Sequence, residues 1–181
     1  MRRIVLLLIC LLLPVAHAED DAAWHALRQG GHVALIRHAL APGTFDPPEF
    51  KIGDCSTQRN LSDEGRAQAR ALGDKFRKHG VTNVALYSSE WCRCMDTATE
   101  MRLGPVTPFP PLNSLHHERS QGIDQTEAVR KLIREHKGDR TLVLVTHQFN
   151  ISRLVDTAAG SGEVVVVRME GDALKVIGRI E

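Results

Sequence analysis

The stretch Thr141-Leu142-Val143-Leu144-Val145-Thr146 constrains this chain more than any other. Its interior is apolar without alternation, so a strand here must be covered on both faces. That is the situation of a central strand in a parallel sheet flanked by helices. The chain supplies the partners such a strand needs. Asp20 to Leu27 opens with acids at a helix start and stops at Gly30-Gly31, and His32 to Ile36 then reads as a short buried strand. Ser62-Asp63-Glu64 caps a helix that runs to about Lys78 and ends at Gly80, and Asn83 to Ser88 is a second strand. A helix from about Glu90 to Met101 ends at Gly104-Pro105, and another runs from about Gln125 to His136. Gly162 to Met169 and Ala173 to Ile180, joined around Glu170-Gly171-Asp172, read as a hairpin on the sheet edge. Strands alternating with helices predict an α/β fold, a three-layer α/β/α sandwich around a mostly parallel central sheet. Two segments carry no periodicity: Ala41 to Asn60, and the residues from about Pro108 through Asn113 to Gln121. Long irregular loops of this kind usually serve function.

Ahead of the first helix, Met1-Arg2-Arg3, an apolar run from Ile4 to Leu13 and Pro14-Val15-Ala16-His17-Ala18 follow the order of a signal peptide. Cleavage after Ala18 is expected, giving a leader of residues 1–18, a domain of residues 19–181 and an exported, periplasmic protein. The apolar run is about half of what a bilayer crossing needs, so no stable membrane span is expected. The 23 basic residues stand against 22 acidic ones, and loss of Arg2 and Arg3 leaves 21 against 22. A nucleic-acid partner bound through bulk charge is disfavoured by that balance. Export also places Cys55, Cys92 and Cys94 where thiols tend to pair. Cys92 and Cys94 are too close in sequence to bridge comfortably within one helix or strand, so a bridge would run from Cys55 to one of them, the alternative being three reduced, buried cysteines.

Three of the strands deliver functional side chains to their carboxyl ends: Arg37-His38 after the first, Ser88-Ser89 with Arg93 one helical turn on after the second, and His147 after the apolar one. In open α/β sheets ligands bind at that edge. Two arginines and two histidines around one crevice suit a compact anion, because guanidinium forks match phosphate oxygens and helix starts add N–H donors. His116-His117 is a weak zinc signal, since adjacent loop residues cannot easily ligate one tetrahedral ion, and no metal site is expected.

Leu35-Ile36-Arg37-His38-Ala39, Asn60-Leu61-Ser62-Asp63-Glu64-Gly65-Arg66-Ala67-Gln68-Ala69, Ser88-Ser89-x-x-x-Arg93-x-x-x-Thr97-Ala98 and Val145-Thr146-His147 together resemble the histidine phosphatase superfamily, with its phosphoglycerate mutase-like fold. The resemblance implies a metal-independent and cofactor-free phosphomonoesterase of the small branch. His38 would attack phosphorus and form a phosphohistidine, while Arg37, Arg93 and a protonated His147 hold the phosphate oxygens. The family's Arg-His-Gly is departed from at Ala39, and Ser114 stands where many members carry the acid that protonates the leaving group. Glu118 is the expected replacement, with Asp124 and Glu127 behind it. Asp54 to Asn60 and Trp91-Cys92-Arg93 resemble an exported bacterial subgroup. That likeness implies a Cys55–Cys92 bridge tying the first loop to the helix bearing Arg93, with Cys94 the other possible partner and Arg59 a further phosphate ligand. The expected partner is a phosphorylated small molecule, glycan or protein acted on by a monomer. The alternative is a module on the same fold that grips a phosphorylated ligand without turnover.

Overall fold

The computed structural model describes residues 15–116 and 122–181. Helix α1 spans Val15–Gln29, followed by β1 His32–Arg37, α2 Asp63–Lys78, β2 Val84–Ser88, α3 Cys92–Glu100, β3 Val106–Pro108, α4 Gly122–Glu135, β4 Thr141–Thr146, α5 Gln148–Val155, β5 Val164–Glu170 and β6 Ala173–Ile180. The six strands form one sheet in the order β3-β2-β4-β1-β5-β6. Strands β1, β2, β3 and β4 run parallel where they pair, whereas β5 and β6 add an antiparallel hairpin to the β1 side.

The apolar strand lies where its composition requires. β4 pairs with β2 on one side and β1 on the other, with Leu144 opposite both Tyr87 and Leu35. Its side chains split between two cores. Val143 and Val145 join Ala34, Ile36, Trp24, Phe76 and Ala98 on the face covered by α1, α2 and α3. Leu142 and Leu144 join Leu35, Val129, Ile133, Ile151 and Leu154 beneath α4 and α5. Leu142 and Leu144 are fully buried, and a leucine taken out of water to this extent contributes about 2 kcal/mol.

The close fit of α2 determines where the segment after β1 runs. Ser62 caps the helix by accepting a hydrogen bond from the Gly65 amide at 3.1 Å. A Cβ at Gly65 would stand 2.0 Å from the Leu40 carbonyl oxygen, and one at Gly73 would meet the Met101 carbonyl equally closely. Only glycine allows the helix this near approach to both chains.

Several boundaries differ from the sequence reading. α1 begins at Val15, earlier than the expected start at Asp20, and its backbone runs through the expected cleavage point at Ala18; residues 1–14 lie outside the described residues. The stretch at Pro108 is a short edge strand, β3, where a loop was expected. An edge strand is hydrogen-bonded on one side only, so a proline can be accommodated there. Helix α5 was not foreseen: its N-cap position is His147, which makes no side-chain capping bond and carries no capping signature. Among the described residues no helix is long and apolar enough to cross a membrane.

Candidate active site

His38 follows directly on β1 and is 3% exposed. Its amide donates to the Thr146 carbonyl at 3.0 Å, which locks the end of β1 to the end of β4. The ring Nδ1 lies 2.8 Å from the Ala39 carbonyl oxygen. A carbonyl only accepts, so Nδ1 carries the proton and Nε2 keeps its lone pair. Burial, followed by the positive charges of Arg93, Arg59 and Arg37, pushes the His38 pKa down to about 3 against the partial opposition of the Ala39 hydrogen bond. The imidazole is therefore neutral at ordinary pH. Thr97 ties this residue to α3, since its hydroxyl accepts from the Ala39 amide at 2.9 Å and donates to the Arg93 carbonyl at 2.6 Å.

A cleft of about 250 Å³ opens over His38 and is lined by Arg37, Arg59, Arg93, Ser114 and His147 among others. Each of the three arginines is fixed through Nη1. Arg37 donates to the Ala159 carbonyl at 2.9 Å, Arg59 to the carbonyls of Ala41 and Gly43, and Arg93 to Asp46. In all three the Nε–H is buried and makes no hydrogen bond. Buried unpaired donors cost about 1–3 kcal/mol each, so three around one cleft form an unusual concentration of unmet demand for acceptor oxygens.

His147 sits beside His38 with ring centroids 5.6 Å apart. Its Nε2 is 2.9 Å from the Ser89 hydroxyl, and Nη2 of Arg93 is 3.4 Å from its Nδ1. Ser89 in turn donates to the Asn113 side-chain oxygen at 3.1 Å, linking the ends of β2 and β4 to the second loop. Cys94 packs under the His147 ring with Sγ 3.5 Å from Nε2. Burial pushes its thiol up to about 12, and it donates weakly to the Thr146 carbonyl. Such a thiol is a packing group and not a nucleophile.

Asp46 is the residue that sequence reasoning missed. Its carboxylate accepts from Arg93 at 2.8 Å, from the Arg59 amide at 2.9 Å and from the Trp91 indole at 3.1 Å. Its side chain is 1% exposed and that of Arg93 is 4% exposed. Burial alone would raise this carboxyl, but the Arg59 amide and the Arg93 guanidinium outweigh it and hold Asp46 below its ordinary value. The available signal was faint: an acid held by Pro47-Pro48 in a loop with no periodicity.

Of the expected site residues, Arg37, His38, Arg59, Arg93 and His147 converge on the cleft. Cys55 and Cys92 form a disulfide that fastens the first loop to the first residue of α3, and Cys94 is the free cysteine among the described residues. Glu118 lies outside the described residues. Asp124 and Glu127 fall on exposed positions of α4 and are not among the residues lining the cleft. Among the described residues no group of three or more His, Cys, Asp or Glu side chains is placed to hold a metal ion.

Comparison with known proteins agrees with this geometry. The family model described as histidine phosphatase superfamily (branch 1) matches residues 33–131. The mitochondrial serine/threonine-protein phosphatase Pgam5 of Drosophila virilis is 26% identical over 121 residues, which cover 57% of this chain and 39% of that protein. The chain thus spans less than half the length of this relative. Among solved structures, the protein histidine phosphatase SixA complexed with tungstate superposes with a TM-score of 0.60 at 13% identity, covering 83% of this chain and 96% of that one. A mycobacterial glucosyl-3-phosphoglycerate phosphatase complexed with VO3 gives 0.61 at 16% identity, covering 81% and 97%. At these identities the structural likeness concerns the fold.

Proposed function

Because the chain belongs to the histidine phosphatase superfamily, branch 1, we propose that it is a phosphomonoesterase with His38 as its nucleophile. One observation carries this reading: a neutral imidazole with a free Nε2 lone pair shares a cleft with three arginines whose Nε–H groups are buried and unpaired. A phosphoryl group supplies acceptor oxygens to the guanidinium groups that line the cleft. The tungstate and vanadate named for two structural neighbours are oxyanions of related shape, which supports the same use of the cleft here.

In the proposed reaction, Nε2 of His38 attacks phosphorus, the P–O bond to the leaving group breaks, and a phosphohistidine forms. Water then attacks phosphorus, the P–N bond breaks, and phosphate departs with His38 neutral again. Arg37, Arg59, Arg93 and His147 hold the oxygens, and the guanidinium groups offset charge as it shifts, which is the main work of phosphoryl-transfer catalysts. Glu118, in the second loop, protonates the leaving oxygen. No metal takes part. The substrate is a phosphorylated small molecule, glycan or protein met outside the cytoplasm, after removal of residues 1–18, and the disulfide suits an oxidising compartment.

The test is phosphate trapping on the purified protein. Wild type quenched during turnover should carry acid-labile, alkali-stable phosphate, and His38→Ala should carry none and hydrolyse nothing. Vanadate should inhibit and chelators should not. Full activity in the variant would dismiss the nucleophile, and phosphate binding without turnover in wild type would favour a binding module.

A further inference from the structure

Phe149 is 52% exposed and Phe45 is 59% exposed, although both line the phosphate cleft. Neither belongs to a core cluster, and large apolar rings left in water beside a charged cleft mark a surface that something else covers. His116 stacks against both, at 4.5 Å from Phe45 and 5.8 Å from Phe149. Asn150, itself buried, fixes that arrangement by donating to the Asn113 carbonyl at 2.8 Å and accepting from the Leu115 amide at 3.3 Å. The loop bearing His116 is thereby tied to α5.

On the far side of the stack lies a second cleft of about 340 Å³, lined by Leu115, His116, Gly122, Phe149 and Arg153. It shares His116 and Phe149 with the phosphate cleft, so the two adjoin across the rings. Helix α5 begins directly after His147 and carries Phe149 and Arg153 four residues apart, on one face. Ile151 and Leu154 are buried on the other. Moving away from the phosphate site, a ligand therefore meets an aromatic surface and then an exposed guanidinium.

We propose that this second cleft is the leaving-group subsite, and that it selects a ring-shaped leaving group with an apolar face against Phe149 and an anionic substituent of its own against Arg153. The inference rests on the phosphatase reading. Both a sugar ring bearing a second phosphate and an aryl ring bearing a carboxylate offer this chemistry.

Four substrates separate the possibilities: glycerol 3-phosphate, glucose 6-phosphate, glucose 1,6-bisphosphate and 4-carboxyphenyl phosphate. Arg153→Ala should lower kcat/KM for glucose 1,6-bisphosphate relative to glucose 6-phosphate by about fivefold, the scale of an exposed ion pair. Phe149→Ala should lower kcat/KM for glucose 6-phosphate relative to glycerol 3-phosphate by about fivefold, the scale of one ring contact. An Arg153 effect confined to the carboxyphenyl ester would assign the subsite to aryl leaving groups. Ratios unmoved in both variants, with His38→Ala inactive, would overturn the subsite and leave the phosphatase standing. Turnover by His38→Ala would overturn both.

Discussion

Asp46→Asn is the substitution with the most to lose at the site. The two Asp46 oxygens meet donors on every side: Oδ1 receives Arg93 Nη1 at 2.8 Å and the Arg59 amide at 2.9 Å, while Oδ2 receives the Trp91 indole and Arg93 Nη1, each at 3.1 Å. An asparagine can keep one oxygen in place, but its amide nitrogen then faces Trp91 and Arg93, donor against donor. The Arg93 guanidinium, 4% exposed, also loses its counter-charge. Breaking a buried ion pair from one side costs about 3–5 kcal/mol, the retained oxygen offsets part of that, and the expected loss is about 3 kcal/mol. Urea unfolding followed by tryptophan fluorescence measures it. Activity should fall further than stability alone accounts for, since an Arg93 displaced by about 1 Å costs on the order of 10²-fold in kcat/KM. The double variant Asp46→Asn with Arg93→Met removes both charges and should recover about 1–3 kcal/mol relative to the sum of the singles. A midpoint and kcat/KM for Asp46→Asn indistinguishable from wild type would refute the claim that this carboxylate positions Arg93.

The pH response follows from His38. Its pKa is about 3 folded and about 6.5 unfolded, so below pH 6.5 the unfolded chain binds a proton that the folded chain refuses. The contribution is complete above about pH 6.5 and is lost as pH falls toward 3, with a slope of up to about 1.4 kcal/mol per pH unit. Urea midpoints of wild type and His38→Gln should therefore converge on acidification, and a constant gap from pH 7 to pH 4 would contradict the shift. The Cys55–Cys92 bridge closes a sequence separation of 37 residues, for which loop entropy gives about 4 kcal/mol. Dithiothreitol should lower the urea midpoint accordingly and raise KM as the loop bearing Asp46 and Arg59 loosens, and three free thiols counted in unreduced mature protein would remove the bridge. Glu118→Gln should slow an alkyl phosphate by about 10²-fold and an activated aryl phosphate much less, whereas equal losses would make Glu118 a binding residue.

Much of this architecture is legible in local sequence because its causes are local. The unbroken apolar run of β4, the cap at Ser62 and the turn at Gly171 each act within a few residues, and the convergence of Arg37, His38, Arg93 and His147 follows once β1, β2 and β4 are parallel neighbours. Asp46 was not legible because its partners Trp91 and Arg93 lie 45 and 47 residues away and no pattern within its loop points toward them. The stack of Phe45 on His116 escaped for the same reason, as it joins two aperiodic loops. Helix α5 was hidden by its own function: the residue at its cap position turns its side chain to the cleft instead of to the helix amides.

Trp24 of α1 and Ile180 of β6 lie in one core, and the helix packs directly on that strand. Helix α1 therefore lacks a complete surface to dock on until β6 has joined the sheet, so the two elements depend on each other although most of the chain separates them. The same dependence means that loss of β6 would strip the cover from Trp24 and expose an aggregation-prone face, even though every residue lining the cleft would still be encoded.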